Sequence, residues 1–152
     1  MDAVQDFEDL LDLLDRHAVR YLIIGGLAFI YHAKPRFTKD IDIWLEPDRE
    51  NLERANGALA EFGSPFLLDL ANQGEILQLG VAPNRIDLLR EAAPLAFEDA
   101  WSRRAESKYG RARACFIGLE DLLAVKDRID HPRHREDARV LRMVLERRRS
   151  RE

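Results

Sequence analysis

Three isolated aspartates and one pair of glycines carry most of the chemistry this sequence offers. Asp40 and Asp42 stand two residues apart in Asp40-Ile41-Asp42-Ile43-Trp44-Leu45. In a strand that spacing points both carboxylates to one side. Asp87 lies between Ile86 and Leu88, the same apolar-flanked setting that Asp42 has between Ile41 and Ile43. A carboxylate embedded in an apolar strand is costly unless it is paired or binds a metal. Three of them in one short chain argue for a common use. Mg2+ keeps several waters, so two or three aspartates suffice to hold it. Asp87 also has a simpler reading, because Arg85 shares its face of the strand and could pair with it.

Gly25-Gly26 follows the β-rich run Arg20-Tyr21-Leu22-Ile23-Ile24 and precedes a helix-like segment. Glycine lets a backbone approach a phosphate, and a helix N-terminus offers free N–H groups. The 13 residues between Gly26 and Asp40 make room for one short helix and a return loop. Carboxylates that hold a metal, beside a turn that cradles phosphates, suit phosphoryl or nucleotidyl transfer.

The elements that must position these residues follow from periodicity. Val4, Phe7, Leu10, Leu11, Leu13 and Leu14 predict an amphipathic helix over 2–17. A strand is expected at 20–24 and a helix at 27–33, ended by Pro35. The alternation of 40–45 predicts a strand, with Asp40, Asp42 and Trp44 on one face. A second amphipathic helix is expected at 48–62, stopped by Gly63-Ser64-Pro65, with a short helical segment near 66–72. Strands are expected at 76–81 and 85–89, joined by a turn at Ala82-Pro83-Asn84. A helix near 94–105 precedes a hairpin of 108–109 and 112–117 around Gly110. Helices over 119–128 and 133–149 close the chain, separated at His131-Pro132. The order gives an α+β fold, a mixed β-sheet flanked by helices. It is read as one domain over 1–152, with a core of about 18–117 and a C-terminal helical segment of about 118–150.

Composition narrows the rest. The chain has 152 residues, 46% of them hydrophobic and 34% charged, as in a folded globular domain. No apolar run reaches the ~20 residues of a membrane span. The acidic start and the single cysteine, Cys115, lead to a cytoplasmic expectation. A net charge of −4 confines any nucleic-acid contact to a local patch. Arg147-Arg148-Arg149-Ser150-Arg151 is such a run, although cations favoured at a helix C-terminus are the preferred reading of it. His17, His32, His131 and His134 have no cysteine cluster beside them, so no zinc site is expected. Cys115 reads as a strand residue. Trp44 reads as core or rim, with stacking on a nucleobase as its other reading.

A strand entering Gly-Gly, a short helix, Asp-x-Asp on the next strand and a lone downstream Asp resemble the nucleotidyltransferase superfamily related to DNA polymerase beta. Arg36-Phe37-Thr38-Lys39-Asp40-Ile41-Asp42 is similar to the Arg-x-Thr-x-Asp-(Ile/Leu)-Asp segment of small bacterial members, the AbiEii-like and DUF6036-like groups. Gly118-Leu119-Glu120-Asp121-Leu122-Leu123-Ala124-Val125-Lys126 and Arg135-Glu136-Asp137-Ala138-Arg139-Val140-Leu141 resemble two helices that follow there. The likeness spans about residues 7–145.

The resemblance implies the mixed sheet of that fold. It also implies Asp40, Asp42 and Asp87 as metal and catalytic carboxylates, with Asp87 helping to deprotonate an acceptor hydroxyl. Gly25, Gly26, Thr38, Lys39 and Lys126 would bind the nucleotide. The cofactor would be Mg2+, with Mn2+ as the alternative. The activity would move NMP from an NTP to a hydroxyl of an RNA, a protein or a small molecule, in a toxin–antitoxin-type setting and with a partner protein or an oligomer. The familiar Gly-Ser-x-x-Arg version has Gly26 and Phe29 here at its serine and arginine. Arg133-His134 stands where Lys-Asp is usual. Those departures support a second reading, a non-catalytic module of the same fold that binds NTP or a partner protein.

Overall fold

A computed structural model of the chain describes residues 3–151 apart from 73, 75 and 81–83. Helix α1 (Gln5–Arg16) buries Phe7, Leu10, Leu11 and Leu14 and turns its acids outward. Strand β1 (Tyr21–Ile24) runs into helix α2 (Gly25–His32), and strand β2 spans Asp40–Leu45. Helix α3 (Arg49–Phe62) packs on α1. The Asp48 side chain caps α3 by accepting from the Glu50 N–H at 2.8 Å, and Gly63 closes it in the left-handed conformation. Two short strands, β3 (Leu77–Leu79) and β4 (Arg85–Leu89), precede helix α4 (Phe97–Ser102). A hairpin of β5 (Ala105–Tyr109) and β6 (Ala112–Phe116) leads into α5 (Leu119–Arg128) and α6 (Pro132–Ser150).

The six strands form one mixed sheet in the order β3-β4-β2-β1-β6-β5. The chain is therefore α+β, as its element order predicts. β1 pairs antiparallel with β2 and parallel with β6, and β2 pairs parallel with β4. The Asn51 side chain locks the start of β1 to the end of β2. Its Oδ1 accepts from the Arg20 N–H at 2.8 Å, and its Nδ2 donates to the carbonyls of Arg20 and Glu46, both at 3.0 Å. A single apolar cluster joins Leu10 and Leu14 of α1, Leu52 and Leu59 of α3, Ile23, Ile41 and Ile43 of the sheet, and Leu122 and Leu141 of the last two helices. Burying one face of β2 this way leaves its aspartates on the other.

Some elements differ from the sequence expectation. The segment at 66–72 forms no helix, because the Asn56 side chain takes up both the N–H and the C=O of Leu68, at 2.7 and 3.1 Å. That side-chain pairing competes with a helical ladder. The helix expected near 94–105 is confined to α4, and Ala105 already pairs with Phe116 in the hairpin. Helix α2 takes in Gly25 and Gly26 rather than starting after them. Val81, Ala82 and Pro83, the end of one expected strand and most of the expected turn, lie outside the described residues, as does Asp2 at the start of the first expected helix. Among the described residues no helix is long and apolar enough to cross a membrane.

Candidate active site

The register of β2 brings two of the sequence features together. Ile24, the last residue of β1, stands opposite Asp42. Gly25 follows with φ +67, a conformation that L side chains rarely adopt. A Cβ at Gly25 would stand 2.1 Å from Oδ2 of Asp42, so only glycine fits beside that carboxylate. A Cβ at Gly26 would lie 2.9 Å from Oγ1 of Thr38 and 3.9 Å from Nη2 of Arg36. The start of α2 has no side-chain cap, which leaves its first N–H groups to other partners.

On the other side of β2, the parallel register sets Asp42 against Asp87 and Asp40 against Arg85. All three expected carboxylates thus share one stretch of the sheet. Burial pushes the Asp42 carboxyl up to about 7, and the charge of Asp87, a hydrogen bond with it and the charge of Asp40 add to the rise. Arg85 pulls the other way. Its Nη2 donates to Oδ2 of Asp40 at 3.3 Å and to Oδ2 of Asp87 at 3.2 Å. Its Nε pairs with Oδ1 of Asp87 at 3.2 Å without a hydrogen bond, and that buried oxygen has no hydrogen-bond partner. Asp87 thus pairs with Arg85, and its register also sets it against Asp42.

Among the described residues, no group of three or more His, Cys, Asp or Glu side chains converges as a ready metal cage. The guanidinium of Arg85 stands between Asp40 and Asp87. The donor set nevertheless fits a hard divalent cation. It offers three carboxylates, two of them in register on neighbouring strands, and a buried Asp87 oxygen that accepts no hydrogen bond. One arginine cannot balance three acids.

A second charged cluster lies behind the glycine turn. Arg36 donates from Nη1 to Oδ1 of Asp137 at 2.7 Å and stacks over the Phe29 ring at 4.2 Å. Lys126 donates from Nζ to Oδ2 of Asp137 at 3.0 Å and lies 3.3 Å from Nδ1 of His134. Burial raises the Asp137 carboxyl, but the hydrogen bonds from Arg36 and Lys126 outweigh it and hold the group below its usual range. Burial, followed by the charge of Lys126, lowers His134 and suits its Nδ1 to accept. Lys126, which the resemblance puts at a phosphate, is here only 4% exposed and turned toward Asp137.

The remaining expected residues are more scattered. The Thr38 hydroxyl donates to the Asp40 carbonyl at 3.3 Å and faces Gly26. Lys39 is exposed, with its ammonium 5.9 Å from the Phe37 ring. Trp44 shares the aspartate face, yet it is 1% exposed and packs edge-on against Phe97 at 5.1 Å. It is core, and the nucleobase-stacking reading of it is withdrawn.

Sequence reasoning missed Arg36 and Asp137 as a pair. The available signal was Asp137 beside Ala138 and four residues before Leu141, on the inward stripe of α6.

Compared by sequence, no family model and no curated protein matches the chain. Compared by structure, it is similar to nucleotidyltransferases. One is the lincosamide antibiotic adenylyltransferase LnuA with lincomycin bound, at 16% identity and a TM-score of 0.64 over 94% of this chain and 98% of that one. Another is ANT(2")-Ia in complex with adenylyl-2"-tobramycin, at 16% identity and 0.58 over 91% and 87%. A third is TM1012 from Thermotoga maritima, a candidate nucleotidyltransferase, at 17% identity and 0.59 over 94% and 92%. At these identities the likeness establishes the nucleotidyltransferase fold.

Proposed function

We propose that this chain is a nucleotidyltransferase that moves NMP from an NTP to a hydroxyl acceptor with the help of Mg2+ or Mn2+. The observation that carries the reading is Asp42, in register with Asp87 on one side and packed on Gly25 on the other. This juxtaposes carboxylates for a metal with a side-chain-free helix start for phosphates.

Asp40, Asp42 and Asp87 would hold the metal, which when bound supplies charge neutralisation for the transferring phosphoryl group. Gly25 and Gly26 offer backbone N–H groups to the triphosphate, and Thr38 lines the same turn. The acceptor hydroxyl oxygen forms the new bond to the α-phosphorus. The bond from that phosphorus to the bridging oxygen breaks, and pyrophosphate departs with the electron pair. Asp87 takes the hydroxyl proton. Arg36 acts on the loop carrying Thr38 through its pairing with Asp137. Lys126 supports that pairing rather than the phosphates directly.

The small-molecule acceptor is the reading favoured by LnuA and ANT(2")-Ia, whose structures hold lincomycin and an adenylylated tobramycin. RNA or protein acceptors in a toxin–antitoxin-type setting rest on the likeness of 36–42 and 118–126 to AbiEii-like and DUF6036-like proteins. A second subunit or a partner protein completing the site belongs to that resemblance-based reading. The single cysteine keeps the cytoplasm as the proposed location. One observation favours a non-catalytic module instead, namely that Arg85 already bridges two of the carboxylates.

The test is label transfer from each α-phosphate-labelled NTP, with Mg2+, into total RNA, total protein, and a panel of lincosamides and aminoglycosides. Wild type is run beside Asp40→Ala/Asp42→Ala. Label found only with wild type supports the enzyme and names base and acceptor together. Equal label in both removes the aspartates from the chemistry. Mg2+-dependent NTP binding without label in any acceptor leaves the module.

A further inference from the structure

The Arg85 guanidinium is a peculiar occupant of its site. Arginine remains protonated at every physiological pH, so it can leave the carboxylates only by moving. Its contacts to Asp40 and Asp87, at 3.3 and 3.2 Å, are long for charge-assisted hydrogen bonds. The Arg36–Asp137 contact in the same molecule is 2.7 Å. The Arg85 side chain is 41% exposed, and its Nε reaches the buried Oδ1 of Asp87 at 3.2 Å as an ion pair without a hydrogen bond. An exposed cation held by long contacts between carboxylates that outnumber it can serve as a placeholder.

We infer that Arg85 is the resident counterion of the carboxylate site. It yields its position between Asp40 and Asp87 to a divalent cation, and its freed guanidinium then pairs with the polyphosphate bound beside that cation. The inference rests on the metal-dependent reading above. It gives Arg85 two opposed effects. Arg85 weakens the binding of a bare divalent cation, with which it competes. It strengthens the binding of a metal–polyphosphate, to which it contributes a planar donor fork. Cation and polyphosphate therefore load together, and a bare cation does not saturate the site.

The opposed signs make the test discriminating, since a merely structural arginine would weaken both when lost. Mn2+ alone is titrated calorimetrically into wild type, Arg85→Gln, Arg85→Lys and Asp42→Asn. The titration is repeated with inorganic tripolyphosphate in the presence of saturating Mg2+, a probe independent of base identity. Circular dichroism in metal-free buffer checks that each variant is folded. In Arg85→Gln, Mn2+ binds about tenfold tighter and Mg-tripolyphosphate about tenfold weaker than in wild type. Arg85→Lys, which keeps the charge and loses the fork, falls between, and it carries the test if Arg85→Gln does not fold.

Unchanged or weaker Mn2+ binding in both Arg85 variants, with wild type binding and Asp42→Asn not, overturns the counterion role and leaves the metal site standing. Tighter Mn2+ binding with unchanged tripolyphosphate affinity overturns the second half. Absence of Mn2+ binding in every protein overturns this inference and the metal-dependent function together.

Discussion

Two charged clusters flank the loop between α2 and β2, and they are balanced differently. At Asp137 one carboxylate meets two cations, Arg36 and Lys126, with contacts of 2.7 and 3.0 Å and little exposure. Both of its oxygens are satisfied, and its carboxyl is held below the usual range. At Asp42 three carboxylates share one loosely held guanidinium, and the central carboxyl is driven up to about 7. The first arrangement is what a protein builds to hold a loop. The second costs stability, a cost that the proposed metal would offset by supplying positive charge. The contrast separates a clamp from the proposed site although both are clusters of charged side chains.

The predictions that break or sharpen this contrast begin with activity. Asp42→Asn keeps the shape and loses the charge, and it lowers transfer by about a thousandfold with an unchanged circular dichroism spectrum. Activity within tenfold of wild type would return Asp42 to a structural role. Gly25→Ala forces a side chain into a positive-φ position 2.1 Å from Asp42 Oδ2. The shifted carboxylate lowers kcat by about a hundredfold, read in single-turnover assays.

On the clamp side, Asp137→Ala strands two cations around a buried gap. It destabilises by about 3 kcal/mol and lowers the melting temperature by roughly 6–12 °C in thermal denaturation. A melting temperature within ~2 °C of wild type would mean that the clamp carries no load.

The same measurement reverses sign at the site. Asp42 has a folded-state pKa of about 7, above its unfolded value, so its protonated form is favoured by folding. The contribution to stability is fully present below pH ~4 and is lost as pH rises through about 7. In metal-free buffer the stability of Asp42→Asn relative to wild type therefore rises with pH and is greater at pH 8 than at pH 5. An equal difference at both pH values would refute this account of Asp42.

Smallest of all, Lys39→Ala leaves stability within about 0.5 kcal/mol. A severalfold rise in KM for NTP keeps Lys39 among the nucleotide contacts, and an unchanged KM removes it.

The sequence carried the site unevenly. β2 was legible to the residue because strict alternation from Asp40 to Leu45 leaves no other face assignment. The α3 boundaries were legible because Asp48 and Gly63 are local signals. What local pattern could not supply was register across distant chain. That Asp42 meets Asp87, 45 residues on, depends on how β4 slides along β2. That Arg36 meets Asp137 depends on the docking of α6 from 101 residues away. Trp44 was ambiguous for a similar reason, since its burial comes from Phe97 of α4 and not from its neighbours in sequence. The 66–72 segment was misjudged because one side chain on α3, Asn56, outbid the helix for Leu68. The same spacing that made Arg85 a rival reading for Asp87 made it a part of the site.

The parallel pairing of β2 with β4 also has a consequence during synthesis. A chain released from the ribosome only as far as Leu45 has β1 and β2, which pair antiparallel and need nothing further along. Asp40 and Asp42 are then on display without Asp87, and parallel partners β4 and β6 have yet to emerge on either side. Long-range parallel pairing is slow to form. The central strands thus spend their early life with open hydrogen-bonding edges, and two charged aspartates on β2 discourage a second nascent chain from adding there.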